Sequence, residues 1–316
     1  MFETPILFIV FNRPQKTQQV FEKIREIKPT KLYVAADGPR LNNNQDALFC
    51  EEVRSLIKVD WDCSLVIKYR DNNAGCKINV SEAITWFFQN EEYGIILEDD
   101  CLPDTSFFSY CENLLHRYKD DDKVFSISGC NFGYSAKGSD DYFFSPIFNM
   151  WGWATWRRSS DLVDYNLNDW KSLTYLEKLF FIVRKLGRPY HINFDWGWFQ
   201  YWINILNNVA KGDLDTWDYQ WAYAQMKWGQ LTIFPEINLI ENLGFDLDAT
   251  HTKSTNKYRK FTSNQYTGLQ NPTFKPKLDF DFYDFYQKKV WAYYHRQPFL
   301  FHLKNYLLKA CGIYGK

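Results

Sequence analysis

Four short apolar runs constrain this chain more than any other feature. Ile6–Phe11, Leu32–Ala36, Leu65–Ile67 and Ile95–Leu97 have strand length, and each stops at a polar break. The breaks are Asn12-Arg13-Pro14, Asp37-Gly38-Pro39, Asp71-Asn72 running on to Gly75, and Glu98-Asp99-Asp100. Between the runs lie helically spaced apolar positions: Val20, Phe21, Ile24 and Ile27, then Val53, Leu56 and Ile57, then Val80, Ala83, Ile84 and Phe87. A strand that is apolar on both faces has to be covered on both, and strands that alternate with helices pair in parallel. The expected fold class is therefore α/β, a Rossmann-like and mostly parallel sheet with helices on both faces. Ligands of such sheets bind beyond the carboxyl ends of the strands, where all four breaks fall.

The fourth break carries the sharpest chemistry. Glu98, Asp99 and Asp100 follow a buried strand directly, and Pro103-Asp104 stops it before Thr105 opens an amphipathic helix bearing Phe107, Phe108, Cys111, Leu114, Leu115 and Tyr118. Three adjacent carboxylates repel one another and are costly to desolvate. A divalent cation shared with a phosphate would offset that, because hard cations take carboxylate and phosphate oxygens together. An acidic, solvated turn is the other reading of the triplet taken alone.

The bulk composition narrows the partners. Of 316 residues, 46% are hydrophobic and 24% charged, which suits a globular chain with a substantial core. A net charge of −1 weighs against a nucleic-acid partner. Seven cysteines, odd in number and without a CxxC pair, suit free thiols in a reducing compartment. The N-terminus lacks a basic leader with an apolar core, and no run reaches the ~18 apolar residues of a membrane span, so a soluble cytoplasmic protein is expected. Aromatic residues reach 19%, and most of the 13 Trp lie between Trp151 and Trp228, beyond a further strand at Val124–Ser128. No linker separates the two halves, so one continuous domain with a distinctive second half is expected.

Read in order, several short segments resemble the nucleotide-sugar glycosyltransferases of the GT-A fold, more narrowly bacterial relatives of the N-acetylglucosaminyltransferase I type. They are Phe11-Asn-Arg-Pro14, Asp37-Gly-Pro39, Asn73-Ala-Gly-Cys76 with Trp86-Phe-Phe88, and Leu97-Glu-Asp-Asp100 with Pro103-Asp104 and Phe107-Phe108. Trp151-Gly-Trp153, Trp217-Asp218, Gly244-Phe245 and Ala249-Thr-His251 continue the series. The resemblance implies a transferase domain over 1–255, with a nucleotide-sugar half at 1–130 and an aromatic-rich acceptor half at 131–255. It does not extend to 256–316, a C-terminal extension read as a helical tail.

The resemblance also implies roles. The acidic triplet stands in the place of a DxD-type motif as EDD, a form those relatives share. Asp100 would bind a divalent metal, Mn2+ or Mg2+, with Glu98 and Asp99 toward the nucleotide sugar. Arg13 and Asp37 would hold base and ribose, with a surface Arg and a turn Asp as their other readings. Lys77 would meet a phosphate or lie exposed. His251 would contact the diphosphate or complete the metal shell, or be structural. Asp218 would deprotonate the acceptor, with Asp215 as runner-up and helix capping as the other reading of either. Trp151 and Trp153 would offer flat apolar faces to the acceptor sugar.

The implied activity is metal-dependent, inverting transfer of a hexosyl or N-acetylhexosaminyl group from a UDP-linked donor. The acceptor would be a hydroxyl of a saccharide or lipid-linked glycan, in glycan biosynthesis. A sugar-nucleotide pyrophosphorylase would need a Gly-rich phosphate loop where Asn12-Arg13-Pro14 stands. A silent carbohydrate-binding protein would leave the acids unexplained. Beyond Trp291 the chain is apolar and basic without an acid, with Leu300, Leu303, Leu307 and Leu308 at helical spacing beside Lys304 and Lys309. Such a helix can lie at the inner face of a membrane as a peripheral contact, or dock on its own domain.

Overall fold

The structure is a computed structural model and describes residues 2–134, 141–187, 196–244 and 278–291. Its first part is the expected alternation: β1 (Ile6–Val10), α1 (Pro14–Ile27), β2 (Lys31–Ala36), α2 (Asn44–Leu56), β3 (Ser64–Tyr69), α3 (Cys76–Asn90) and β4 (Tyr93–Glu98). β5 (Cys101–Pro103), α4 (Ser106–Arg117), β6 (Val124–Ser128), β7 (Tyr142–Ser145) and β8 (Trp153–Trp156) follow. Helices then dominate, as α5 (Arg157–Ser160), α6 (Asn168–Ser172), α7 (Tyr175–Ile182), a π-helical turn at Val183–Gly187, α8 (Trp196–Lys211) and α9 (Asp218–Trp228). β9 (Leu231–Pro235), β10 (Ile240–Asn242), α10 (Phe280–Phe285) and a second π-helical turn at Tyr286–Trp291 complete the described chain.

Local chemistry sets the boundaries. Pro14 opens α1, where its missing N–H is no loss, and Asn43 caps α2 by accepting from the Gln45 amide at 3.1 Å. Eight strands form one sheet in the order β3-β2-β1-β4-β8-β6-β9-β7. β7 and β8 are its two reversed strands. Alternate residues of each strand feed different layers, as the period of two requires. Phe8 and Val10 pack with Val20 and Phe21 of α1 and Leu114 of α4, whereas Leu7 and Ile9 pack with Ile84 and Phe87 of α3 and Trp221 of α9. The mostly parallel sheet with helices on both faces is thus observed.

The structure departs from the sequence reading at β3 and at Pro103. β3 is the sheet edge, so Ile67 is 47% exposed and that strand is not covered on both faces. The sheet runs on past residue 130, because β8 is inserted between β4 and β6 and β9 lies beyond them. Pro103 does not simply end a strand either. Residues 101–103 pair antiparallel with β10, joining Asn242 to Cys101 just past the acids. No described helix is long and apolar enough to cross a membrane. All cysteines among the described residues are free.

Candidate active site

β1 and β4 are neighbouring parallel strands, with Ile9 opposite Glu98, so the residues that follow them emerge side by side. The side chains after β4 keep the strand's alternation. Glu98 and Asp100 line a cavity of about 590 Å3, whereas Asp99 turns away and is 4% exposed. Asp99 accepts from the Phe11 amide at 3.2 Å and from Arg13 Nη1 at 3.0 Å, and the same guanidinium nitrogen donates to Asp100 Oδ2 at 2.8 Å. Arg13 therefore clamps the turn from the end of β1. It is the only Lys, Arg or His among the described residues lining the cavity. Burial, then the charges of Asp100 and Asp99, push the Glu98 carboxyl well above the usual carboxylate range, with Arg13 pulling against them. Burial likewise raises Asp99 against the pull of Arg13. Acidic charge is in excess here.

The second wall begins at α3. Gly75 precedes it at φ 84°, and an added Cβ would lie 2.8 Å from Asp215 Oδ2. Asp215 uses that approach: its carboxylate accepts from the amides of Cys76 and Lys77, both at 2.9 Å. It is thus an N-terminal cap supplied from far along the chain, where a carboxylate favours the helix dipole. Asp37 supports the same turn from below. Its Oδ1 accepts from the amides of Gly38 and Ala74, and its Oδ2 from the Gly75 amide and Asn73 Nδ2. A carboxylate has about four acceptor positions, and all four are engaged. Gly38 is required beside it, because a Cβ there would overlap the backbone of Asn72.

The third wall is the start of α9. Trp217 is 3% exposed and stacks on Trp153 with ring centroids 5.9 Å apart, which anchors the helix end. The next residue, Asp218, lines the cavity with Thr216 Oγ1 donating to its Oδ1, and lies close enough to Glu98 to raise its pKa. Trp151 lines the cavity too, with its ring 5.3 Å from that of Phe132. Gly152, at φ 56° and packed against Ile240, turns the chain so that Trp153 goes the other way.

Arg13, Glu98, Asp100, Trp151, Asp215 and Asp218 are therefore brought to one cavity. Asp37, Lys77, Asp99 and Trp153 are not among its lining residues. The oxygens of Asp37 organise the turn before α3. Asp99 likewise fastens Arg13 and β1 rather than facing the cavity. Trp153 is 0% exposed and packs in the core against Trp217. Lys77 contributes its backbone amide to Asp215. His251 lies outside the described residues, as does the tail after Trp291.

Sequence reasoning missed the approach of β10. The Leu243 amide donates to the Asp100 carbonyl at 2.7 Å, and the Gly244 amide to Asn242 Oδ1 at 2.7 Å. Both Asn242 and Gly244 line the cavity beside Asp100. Nothing in a three-residue strand announces itself in sequence. Thr216, two residues before Asp218, carried no signal either.

Among the described residues, no group of three or more His, Cys, Asp and Glu side chains is arranged to hold a metal ion by itself. The donor set is hard oxygen from Asp100 and Glu98 in a site with excess negative charge. That suits a cation whose shell is completed by a ligand's phosphate oxygens, the usual habit of Mg2+ in particular.

No protein-family model matches the chain, and no curated protein does. Similar solved structures include a mannosyltransferase from Pyrobaculum calidifontis in complex with GDP-Man and Mn2+, at 16% identity and TM-score 0.33, over 50% of this chain and 46% of that one. Mouse xyloside xylosyltransferase 1 in its apo form is 10% identical at TM-score 0.34, over 72% of this chain and 83% of that one. A UDP-glucose pyrophosphorylase complexed with UDP-glucose is 8% identical at TM-score 0.36, over 74% and 90% respectively. The chain spans less than half the length of the mannosyltransferase.

Proposed function

We propose that this protein is a glycosyltransferase of the GT-A class, related to the N-acetylglucosaminyltransferase I type, that moves a sugar from UDP to an acceptor hydroxyl with inversion. One observation carries the reading. Asp218 shares a cavity with Asp100, Glu98 and Arg13, although α9 follows β4 by more than a hundred residues. Asp100, with Glu98 beside it, would hold a divalent cation together with the donor's diphosphate. When bound, that cation neutralises the charge developing on the leaving diphosphate.

The chain's own residues supply the rest. Arg13 fixes Asp100 in place through its ion pairs with Asp99 and Asp100. Asp218 accepts the proton of the acceptor hydroxyl as that oxygen bonds to the anomeric carbon, while the bond from that carbon to the diphosphate oxygen breaks on the opposite side. Thr216 orients the Asp218 carboxylate by donating to Oδ1. Asp215 is less suited to the same task, since both its oxygens are engaged by the amides of α3. Trp151 lies on the cavity wall where a sugar face can stack.

The test is a panel of nucleotide sugars screened by thermal stabilisation with and without Mn2+, followed by release of free nucleotide with and without candidate acceptors. Stabilisation by one donor and acceptor-stimulated release support a transferase. Release of a sugar 1-phosphate with pyrophosphate would identify a pyrophosphorylase, and sugar binding without nucleotide binding a silent lectin.

A further inference from the structure

The cavity does not end at the carboxylates. Asp218, Ala222 and Met226 line it from α9 at intervals of four, so it follows one face of that helix for roughly 12 Å at the rise of an α-helix. Trp198, Tyr201, Trp202 and Ile205 line it from α8 with the spacing of a single face. Lys185 marks the far end: its Nζ donates to the Lys227 carbonyl at 2.7 Å, which sets the π-helical turn of residues 183–187 against the last turn of α9. Leu186 of that turn lines the cavity and is 1% exposed.

Most polar side-chain atoms along this stretch are directed elsewhere, but the indole N–H of Trp202, which lines the cavity, is buried without a hydrogen-bond partner. The Trp198 indole N–H donates to the Tyr283 hydroxyl at 2.9 Å, and the Tyr201 and Tyr219 hydroxyls bond each other at 2.7 Å. Arg13, the one cation lining the cavity among the described residues, is held by Asp99 and Asp100 at the opposite end. Between Asp218 and Leu186 the walls are therefore mostly aromatic and aliphatic carbon, interrupted by the Trp202 indole N–H and the paired hydroxyls of Tyr201 and Tyr219.

We infer that this channel takes an apolar group carried by the acceptor, an alkyl, acyl or aryl portion attached to the saccharide whose hydroxyl meets Asp218. The inference rests on the transferase reading above. A saccharide bears hydroxyls around every ring, and these walls would take them out of water while returning few partners, the Trp202 N–H among them. Hydrocarbon is favoured by the same burial. The two ends of the cavity thus sort one amphiphilic acceptor, polar head at Asp218 and apolar tail beside Met226.

The probes are paired methyl and n-octyl glycosides of common hexoses and N-acetylhexosamines, with the octyl form kept below its micellar range. Binding is read from Trp fluorescence, and transfer from product formation. For sugars that bind, the octyl partner is expected to bind at least tenfold tighter, since each buried methylene is worth roughly fourfold. Ala222→Leu, which fills the channel, and Ile205→Gln, which makes its wall polar, are each expected to remove that preference. Thermal melting checks that each variant folds, and either folded variant decides the question. Equal affinity of the two partners, or an octyl preference that the folded variants retain, overturns the proposal. Failure of the transferase reading is a separate result, the absence of nucleotide binding with Mn2+, and the octyl-to-methyl comparison remains readable without it.

Discussion

At the scale of single residues, the structure separates two carboxylates that are close in sequence. Asp215 caps α3 with both oxygens, while Asp218 lines the cavity behind a buried Trp217. Asp218→Asn is predicted to lower transfer by ~10²–10⁴-fold, the range for loss of a general base, with UDP affinity nearly intact. Asp215→Asn is predicted to act mainly on stability, by about 1 kcal/mol as for other lost caps, and to show in thermal melting. Near wild-type transfer by Asp218→Asn, with loss in Asp215→Asn, would reverse the assignment. The resemblance ranked Asp218 before Asp215 and left capping open for either, but sequence spacing could not separate them, because Asp215 takes its partners from residues 76 and 77. Trp151 and Trp153 show the same limit. Two residues apart, they belong to the cavity and the core respectively because Gly152 turns the chain between them.

At the scale of elements, the apolar runs of β1, β2 and β4 and the acids after β4 were legible because each strand is covered on both faces by the helices beside it. β7, β8 and β10 were not, being three or four residues long and held by pairing with distant strands. The β5–β10 pair nevertheless shapes the site. Gly244 lies so close to Asp100 that an added Cβ would overlap its carboxylate. Gly244→Ala is predicted to displace Asp100 and weaken Mn2+-dependent UDP binding tenfold or more with little change in melting temperature. Unchanged UDP affinity would separate β10 from the site. The turn before α3 makes the matching prediction for stability. Gly75→Ala places a side chain at φ 84° and against Asp215, which is expected to cost about 1–3 kcal/mol in a denaturant titration.

At the scale of the whole molecule, one sheet runs through both halves of the sequence. β8 lies between β4 and β6, so a chain ending at residue 130 would expose the facing edges of both strands and leave α3 without α9 and Trp217 across the core. Such a fragment is predicted not to fold alone, as judged by circular dichroism and dispersion of its proton spectrum. The continuity of the sheet is also what brings Asp218 to the carboxyl ends of β1 and β4. Isothermal calorimetry of UDP tests that convergence most directly, on the wild-type protein with Mn2+, on the same protein after chelation, and on Asp100→Ala with Mn2+. A cation held at Asp100 predicts binding in the first condition and a loss of at least tenfold, about 1.4 kcal/mol, in the other two. Equal affinity in all three would contradict it.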